Sequence, residues 1–181
     1  LRFSNLVHHI GDYIDEVSSF ANRMRADTER HNRLVEHDAF AIAANRGEPY
    51  VPPARLDPVP SLDFTPLRQS HERLSGAAAE YDSALAARLT RGALDENTAA
   101  RINAILRDAE RTLLRDDGLP RRPWYRHQIY APGYYTGYGV KTLPGLREGI
   151  EERNWDEART FLVVLSDALD RLTGEIDNAR Q

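Results

Sequence analysis

Cysteine is absent from the 181 residues. That removes disulfides and thiolate metal sites together, while leaving the redox compartment open. Lysine is nearly absent too: Lys141 stands alone against 23 arginines, which we read mainly as a codon or lineage bias. No apolar run approaches the ~18 residues a bilayer-spanning helix needs. Nor is there an excess of positive charge. The formal net charge is −4 and the pI about 5.9, which disfavours nucleic acid and anionic membrane as partners. Sustained apolar–polar alternation is missing, so almost no sheet is expected. The chain opens on Leu1 rather than Met with no signal-like segment after it, and is expected to be a processed or excised piece of something longer.

Several catalytic signatures are missing as well. The histidines at 8, 9, 31, 37, 71 and 127 never pair at i, i+4, and no HExxH or G-x-S-x-G occurs. The Glu-x-x-His spacing of a bundle-borne di-iron site is absent. The run from Gly133 to Thr142 faintly resembles a phosphate loop. However, Val140 stands where a glycine should precede the lysine, and no buried strand leads into it.

What is present is helical periodicity. Leu6, Val7, Ile10, Ile14, Val17 and Ala21 recur at spacings of three and four behind Ser4, a candidate N-cap. The pattern resumes from Leu34 to Ala43, so this region is either one helix to about Ala44 or two helices meeting near His31. Residues 47–60 hold five of the ten prolines, which forbids regular helix. This stretch predicts an extended connector packed by Tyr50, Val51, Leu56 and Val59. Thr65-Pro66 suits the start of a second long helix, with Thr65 as N-cap, a buried face from Leu67 to Leu89 and Gly92 as terminator. Asp95 suits the cap of a third, striped by Ala99, Ile102, Ile105, Leu106, Ala109 and Leu113 and stopped by Gly118 and Pro120. A short helical stretch is expected at about 143–152. Asn154 and Glu157 then stand in capping-box spacing before a last helix carrying Phe161, Leu165, Leu169 and Leu172. The fold expected is all-α: one four-helix-bundle-like domain over residues 1–181, with a long irregular Tyr/Pro/Gly-rich loop at 119–142 between the third and last long helices.

That loop concentrates chemistry. Residues 121–142 hold six of the chain's 15 aromatic residues: Trp124, Tyr125, Tyr130, Tyr134, Tyr135 and Tyr138. Arg121, Arg122, Arg126 and Lys141 give the stretch a formal charge of +4 with no acid, leaving −8 for the remainder. Tyrosine faces with arginine forks suit an anionic or peptide ligand, or a protein surface. Equally, the aromatic residues could simply pack the loop onto the bundle. His127 reads first as a structural, hydrogen-bonded histidine.

The string GLPRRPWYRHQIYAPGYYTGYG, residues 118–139, resembles the corresponding motif of the transferrin-receptor-like dimerisation domain. That domain is the C-terminal helical part of glutamate carboxypeptidase II-type proteins and transferrin receptors. The opening Leu1-Arg-Phe-Ser-Asn-Leu, Pro144-Gly145 and the long final helix resemble it too, so the likeness covers nearly the whole chain. Residues 30–60 look like an elaboration.

The resemblance implies a homodimerising domain that closes one side of the substrate cavity of an upstream two-zinc peptidase. This chain would carry no catalytic residue, metal or cofactor of its own. The parent would act on small acidic peptides, and an extracytoplasmic parent is favoured. Tyr138 falls where the family has the tyrosine of a Lys-Tyr pair holding the substrate's terminal carboxylates, but Gly137 replaces the lysine. Lys141 could stand in for it, without support from the alignment, and Tyr134 and Tyr135 could line a more apolar pocket. Tyr125, Arg126, His127 and Tyr130 within the motif would position the loop. Alternatives are a standalone helical interaction module and a domain of a peptidase-inactive, receptor-like homologue.

Overall fold

The computed structural model describes residues 3–42, 44, 47, 49–137 and 139–180. Among these, the elements in order are α1 (Ser4–Glu36), α2 (Ala39–Ile42), α3 (Thr65–Leu89) and α4 (Glu96–Ala109). A 3₁₀ turn (Glu110–Leu113), β1 (Tyr130–Pro132), β2 (Val140–Thr142), α5 (Pro144–Glu151) and α6 (Trp155–Arg180) follow. The architecture is all-α with one small antiparallel hairpin, Ala131 opposite Lys141.

The chain divides into two compact units. One comprises Leu1–Val17 with Asp63–Gln181, the other Ser18–Leu62. In the first, the apolar stripes meet as their periodicity requires. Ile10 and Ile14 of α1, Leu67 and Leu74 of α3, and Leu165, Leu169 and Leu172 of α6 are buried, each removing apolar surface worth about 1.5–3 kcal/mol from water. Phe3 stacks edge-on against Tyr81, ring centroids 5.5 Å apart. Ser70 and Arg73 of α3 both bond Asp170 of α6.

Helix ends depart from the sequence reading in instructive ways. Ser4 lies inside α1, because the Phe3 carbonyl already accepts the Val7 N–H at 3.0 Å. Thr65 is likewise the first residue of α3 rather than its cap. Its N–H donates to the Asp63 carboxylate at 2.9 Å; bonding from the Thr65 hydroxyl, and secondarily from this N–H, holds the Asp63 pKa below its usual value. Asp95 caps α4 as expected, accepting from the Thr98 N–H at 2.9 Å. The end of α5 and the start of α6 share one turn. Arg153 takes the left-handed conformation (φ 57°), and the N–H groups of Arg153 and Asn154 bond the Ile150 and Gly149 carbonyls. This is a Schellman ending. Asn154 then caps α6, accepting the Glu157 N–H at 3.2 Å.

In the second unit α1 continues to Glu36, a turn with Asp38 at φ 51° follows, and α2 adds one turn. The proline-rich connector has no regular structure but is pinned to α1. The Asn32 amide donates to the Leu56 carbonyl (2.9 Å) and accepts its N–H (2.8 Å), and a His31 ring nitrogen lies 3.0 Å from the Ala54 carbonyl. Of the four connector residues expected to pack, only Val59 is buried; Tyr50, Val51 and Leu56 are exposed. Backbone bonding to one helix face, rather than side-chain burial, holds this segment.

Candidate functional site

The loop predicted to be irregular over 119–142 is instead folded back on itself by short-range bonds. Gly118, at φ 65°, sits where a Cβ would collide with the Pro123 carbonyl, so only glycine fits. The Leu119 N–H bonds the Tyr125 carbonyl at 2.8 Å and the Gln128 N–H bonds the Leu113 carbonyl at 2.9 Å. β1 and β2 then pair, and the Gly133 N–H closes on the Gly139 carbonyl at 2.8 Å. Residues 133–137 and 139 thus belong to the tip of a hairpin whose strands are too short to register as alternation in sequence. Leu143, at φ 46°, makes the corner into α5. A left-handed conformation at a buried leucine is strained by about 1–2 kcal/mol and is held by the packing around it.

Beneath the tip lies a feature that the sequence reading missed. Arg122 and Glu148 are each only 3% exposed at the side chain. Arg122 Nη2 donates to both Glu148 oxygens, at 2.9 and 2.8 Å, and the Tyr134 N–H donates to the same carboxylate at 2.9 Å. The guanidinium also lies 5.9 Å from the Tyr134 ring centroid and 6.0 Å from that of Tyr125, within cation–π range. One buried carboxylate therefore fixes both an arginine and the backbone at the start of the tip. Nothing local in the sequence marks Glu148, which lies on α5 among the buried Leu146, Gly149 and Ile150. Gly145 lets α5 pack tightly, since a Cβ there would overlap the Phe161 ring.

The remaining cations of the loop are also engaged. Arg121 forks onto Glu157 with two 3.0 Å bonds, Lys141 Nζ binds Glu151 Oε1 at 2.6 Å, and Arg126 lies 3.5 Å from Asp116. The formal +4 is thus matched by acids brought in from α5, α6 and the turn before the loop. Lys141 is committed to Glu151, and we do not assign it a ligand.

The aromatic residues behave differently. Trp124 is 72% exposed and Tyr135 78%, and Tyr125, Tyr130 and Tyr134 are also exposed. Tyr134 and Tyr135 stack edge-on at 4.8 Å. Arg121 lies 5.4 Å from the Tyr134 ring centroid. Gly137 is at φ 62° with open space around it; Tyr138 lies outside the described residues. His127 stacks on Tyr130 at 4.1 Å and its Nδ1 accepts the Ile129 N–H at 3.2 Å. Burial pushes its pKa down, the Glu110 carboxylate opposing in part. Tyr130 is tied by its hydroxyl to Glu110 at 3.4 Å. The loop is therefore anchored by its charges, and its aromatic faces are presented to solvent.

Among the described residues no three His, Asp or Glu side chains converge as a metal site, and no helix is long and apolar enough to cross a membrane. The helical body carries a clamped hairpin with exposed aromatic faces.

Residues 62–177 match the model of the transferrin receptor-like dimerisation domain, and the chain belongs to that family. It is similar to Probable glutamate carboxypeptidase LAMP1 of Arabidopsis thaliana, 40% identical over 91 residues, which are 50% of this chain and 13% of the plant protein. It is also similar to the Probable glutamate carboxypeptidase of Arthroderma benhamiae, 37% identical over 75 residues, or 41% of this chain and 10% of the fungal protein. The match thus spans a small part of these relatives' length. It supports a dimerisation domain of glutamate carboxypeptidase-like proteins.

Proposed function

We propose that this chain is the homodimerisation and cavity-closing domain of a two-zinc peptidase that removes C-terminal residues from small acidic peptides. The observation that carries the reading is the hairpin tip. Its aromatic faces are solvent-exposed, while the cations beside them are bound to acids of the same domain. A surface meant only to pack inward would bury those rings, and one meant to hold an anion by itself would leave an arginine free. An aromatic rim clamped from below suits contact with a neighbouring domain and the substrate held there. The names of both relatives point the same way.

In this reading Tyr138 donates its hydroxyl to the substrate's terminal carboxylate, Tyr134 and Tyr135 form an apolar wall, and Tyr125, Arg126, His127 and Tyr130 keep the hairpin in place. With Gly137 where the family has lysine, a charge-assisted bond is missing, so discrimination in favour of terminal glutamate is weak. The zinc ions and the general base belong to the peptidase part.

The test uses the longer polypeptide that contains this chain. Light scattering should give twice the chain mass. Hydrolysis of peptides ending in Glu or in a neutral residue should differ little in kcat/KM, with Gly137→Lys raising the ratio toward Glu. Tyr138→Phe should raise KM more than it lowers kcat. A parent without hydrolytic activity but still dimeric would favour the receptor-like alternative. A monomeric parent whose activity ignores the loop variants would refute the proposal.

A further inference from the structure

The other end of the first unit holds a cleft that the proposed function does not use. It lies where the last turns of α3, the first turns of α4 and the end of α6 converge, with a volume of about 250 Å³. Leu85 and Ile102 line it, together with Arg88, Arg91, Arg101 and Arg180.

Three observations make this more than a dent. First, the helical stripes were built for burial here but are not fully covered. Leu85 and Ile102 are half-buried and Leu89 is exposed. Second, Tyr81 lines the cleft while being 2% exposed, and among the described residues its buried hydroxyl has no hydrogen-bond partner. An unpaired buried hydroxyl costs about 1–3 kcal/mol, so an acceptor at that depth would be stabilising. Burial, with the nearby Asp82 carboxylate, raises its pKa and keeps it a donor. Third, the charge at the rim is of one sign and partly uncommitted. Arg180 is held by Glu80 and reaches Asp177 at 3.7 Å, Arg88 interacts electrostatically with Asp95, and both arginines lie in last turns where cations offset helix dipoles. Arg101 lies inside α4, where no dipole explains it, and Arg91 lies beyond the end of α3. Neither shows an acidic partner among the described residues. Asp82 does not line the cleft.

We infer that this cleft is a binding site for a small monocarboxylate with an apolar body, of the kind a medium-chain fatty acid presents. The alkyl body lies on Leu85 and Ile102, and the carboxylate accepts from the Tyr81 hydroxyl and the Arg91 and Arg101 guanidinium groups. The volume, about 250 Å³, falls just below the ~300 Å³ at which drug-sized pockets begin, which suits a medium-length chain and excludes a long one.

Decanoate titrated into the 181-residue chain by calorimetry tests this. One saturable site per chain is expected, with decanol, which lacks the anion, at least tenfold weaker. Tyr81→Phe and Arg101→Ala should each weaken decanoate by about tenfold, the loss expected of one bond to a charged group. Tyr81→Phe should leave the melting temperature of the free chain unchanged or raised, since the hydroxyl it deletes is unpaired, and so loss of binding cannot be ascribed to unfolding. Absence of saturation up to 1 mM, equal binding of decanol, or wild-type affinity in both variants would each overturn the assignment.

Discussion

Replacing Glu148 by Gln isolates the contribution of the buried pair, because shape and an acceptor for the Tyr134 N–H are kept while the charge is removed. Arg122 then remains 3% exposed with no counter-charge. Removing one partner of a buried pair costs about 3–5 kcal/mol. For a domain of this size each kcal/mol lowers Tm by roughly 2–4 °C, so a fall of about 6–20 °C is expected by calorimetry. The companion variant, Arg122→Met with Glu148→Leu, removes both charges and both desolvation costs. It should lie within about 1 kcal/mol of the wild type or above it, the more so because Arg122 Nε and Nη1 are buried without partners among the described residues. Hydrogen exchange at Tyr134 should still accelerate in the double variant, because its acceptor is gone. A Glu148→Gln chain as stable as wild type, or a double variant as damaged as the single one, would refute the argument that burial of the charge sets the cost.

Three further outcomes are expected. The His127 pKa is lower folded than unfolded, so the unfolded chain binds the extra proton first. The stability from neutral His127 is therefore present above about pH 6.5 and is lost as pH falls from there toward the folded pKa; melting curves at pH 7.5 and 5.0 should diverge less for His127→Gln than for wild type. Gly118→Ala places a Cβ against the Pro123 carbonyl at φ 65°, costing about 1–3 kcal/mol in urea unfolding. Asn32→Ala deletes both bonds to Leu56; limited proteolysis should cut within residues 49–60 faster while the melting of the other unit is unchanged.

The helices were legible because their cause is local. Periodicity in α1, α3, α4 and α6 comes from each segment's own apolar spacing, and Asp95 and Asn154 cap helices with bonds only three residues long. The loop motif was equally legible by resemblance, since it is a contiguous string. Termini slipped by a residue where a neighbour supplied the bond first, as Phe3 and Asp63 did.

What the sequence determined by itself, then, is where helices form and which stretch is unusual. The tertiary structure decided which of the loop's charges are spent internally and which aromatic residues reach solvent. Arg122 and Glu148 are 26 residues apart, and Arg121 and Glu157 are 36 apart, so no periodicity records their meeting. The same holds for the apolar stripe of α4: composition makes it look like core, but burial depends on how much neighbouring surface the fold brings to cover it.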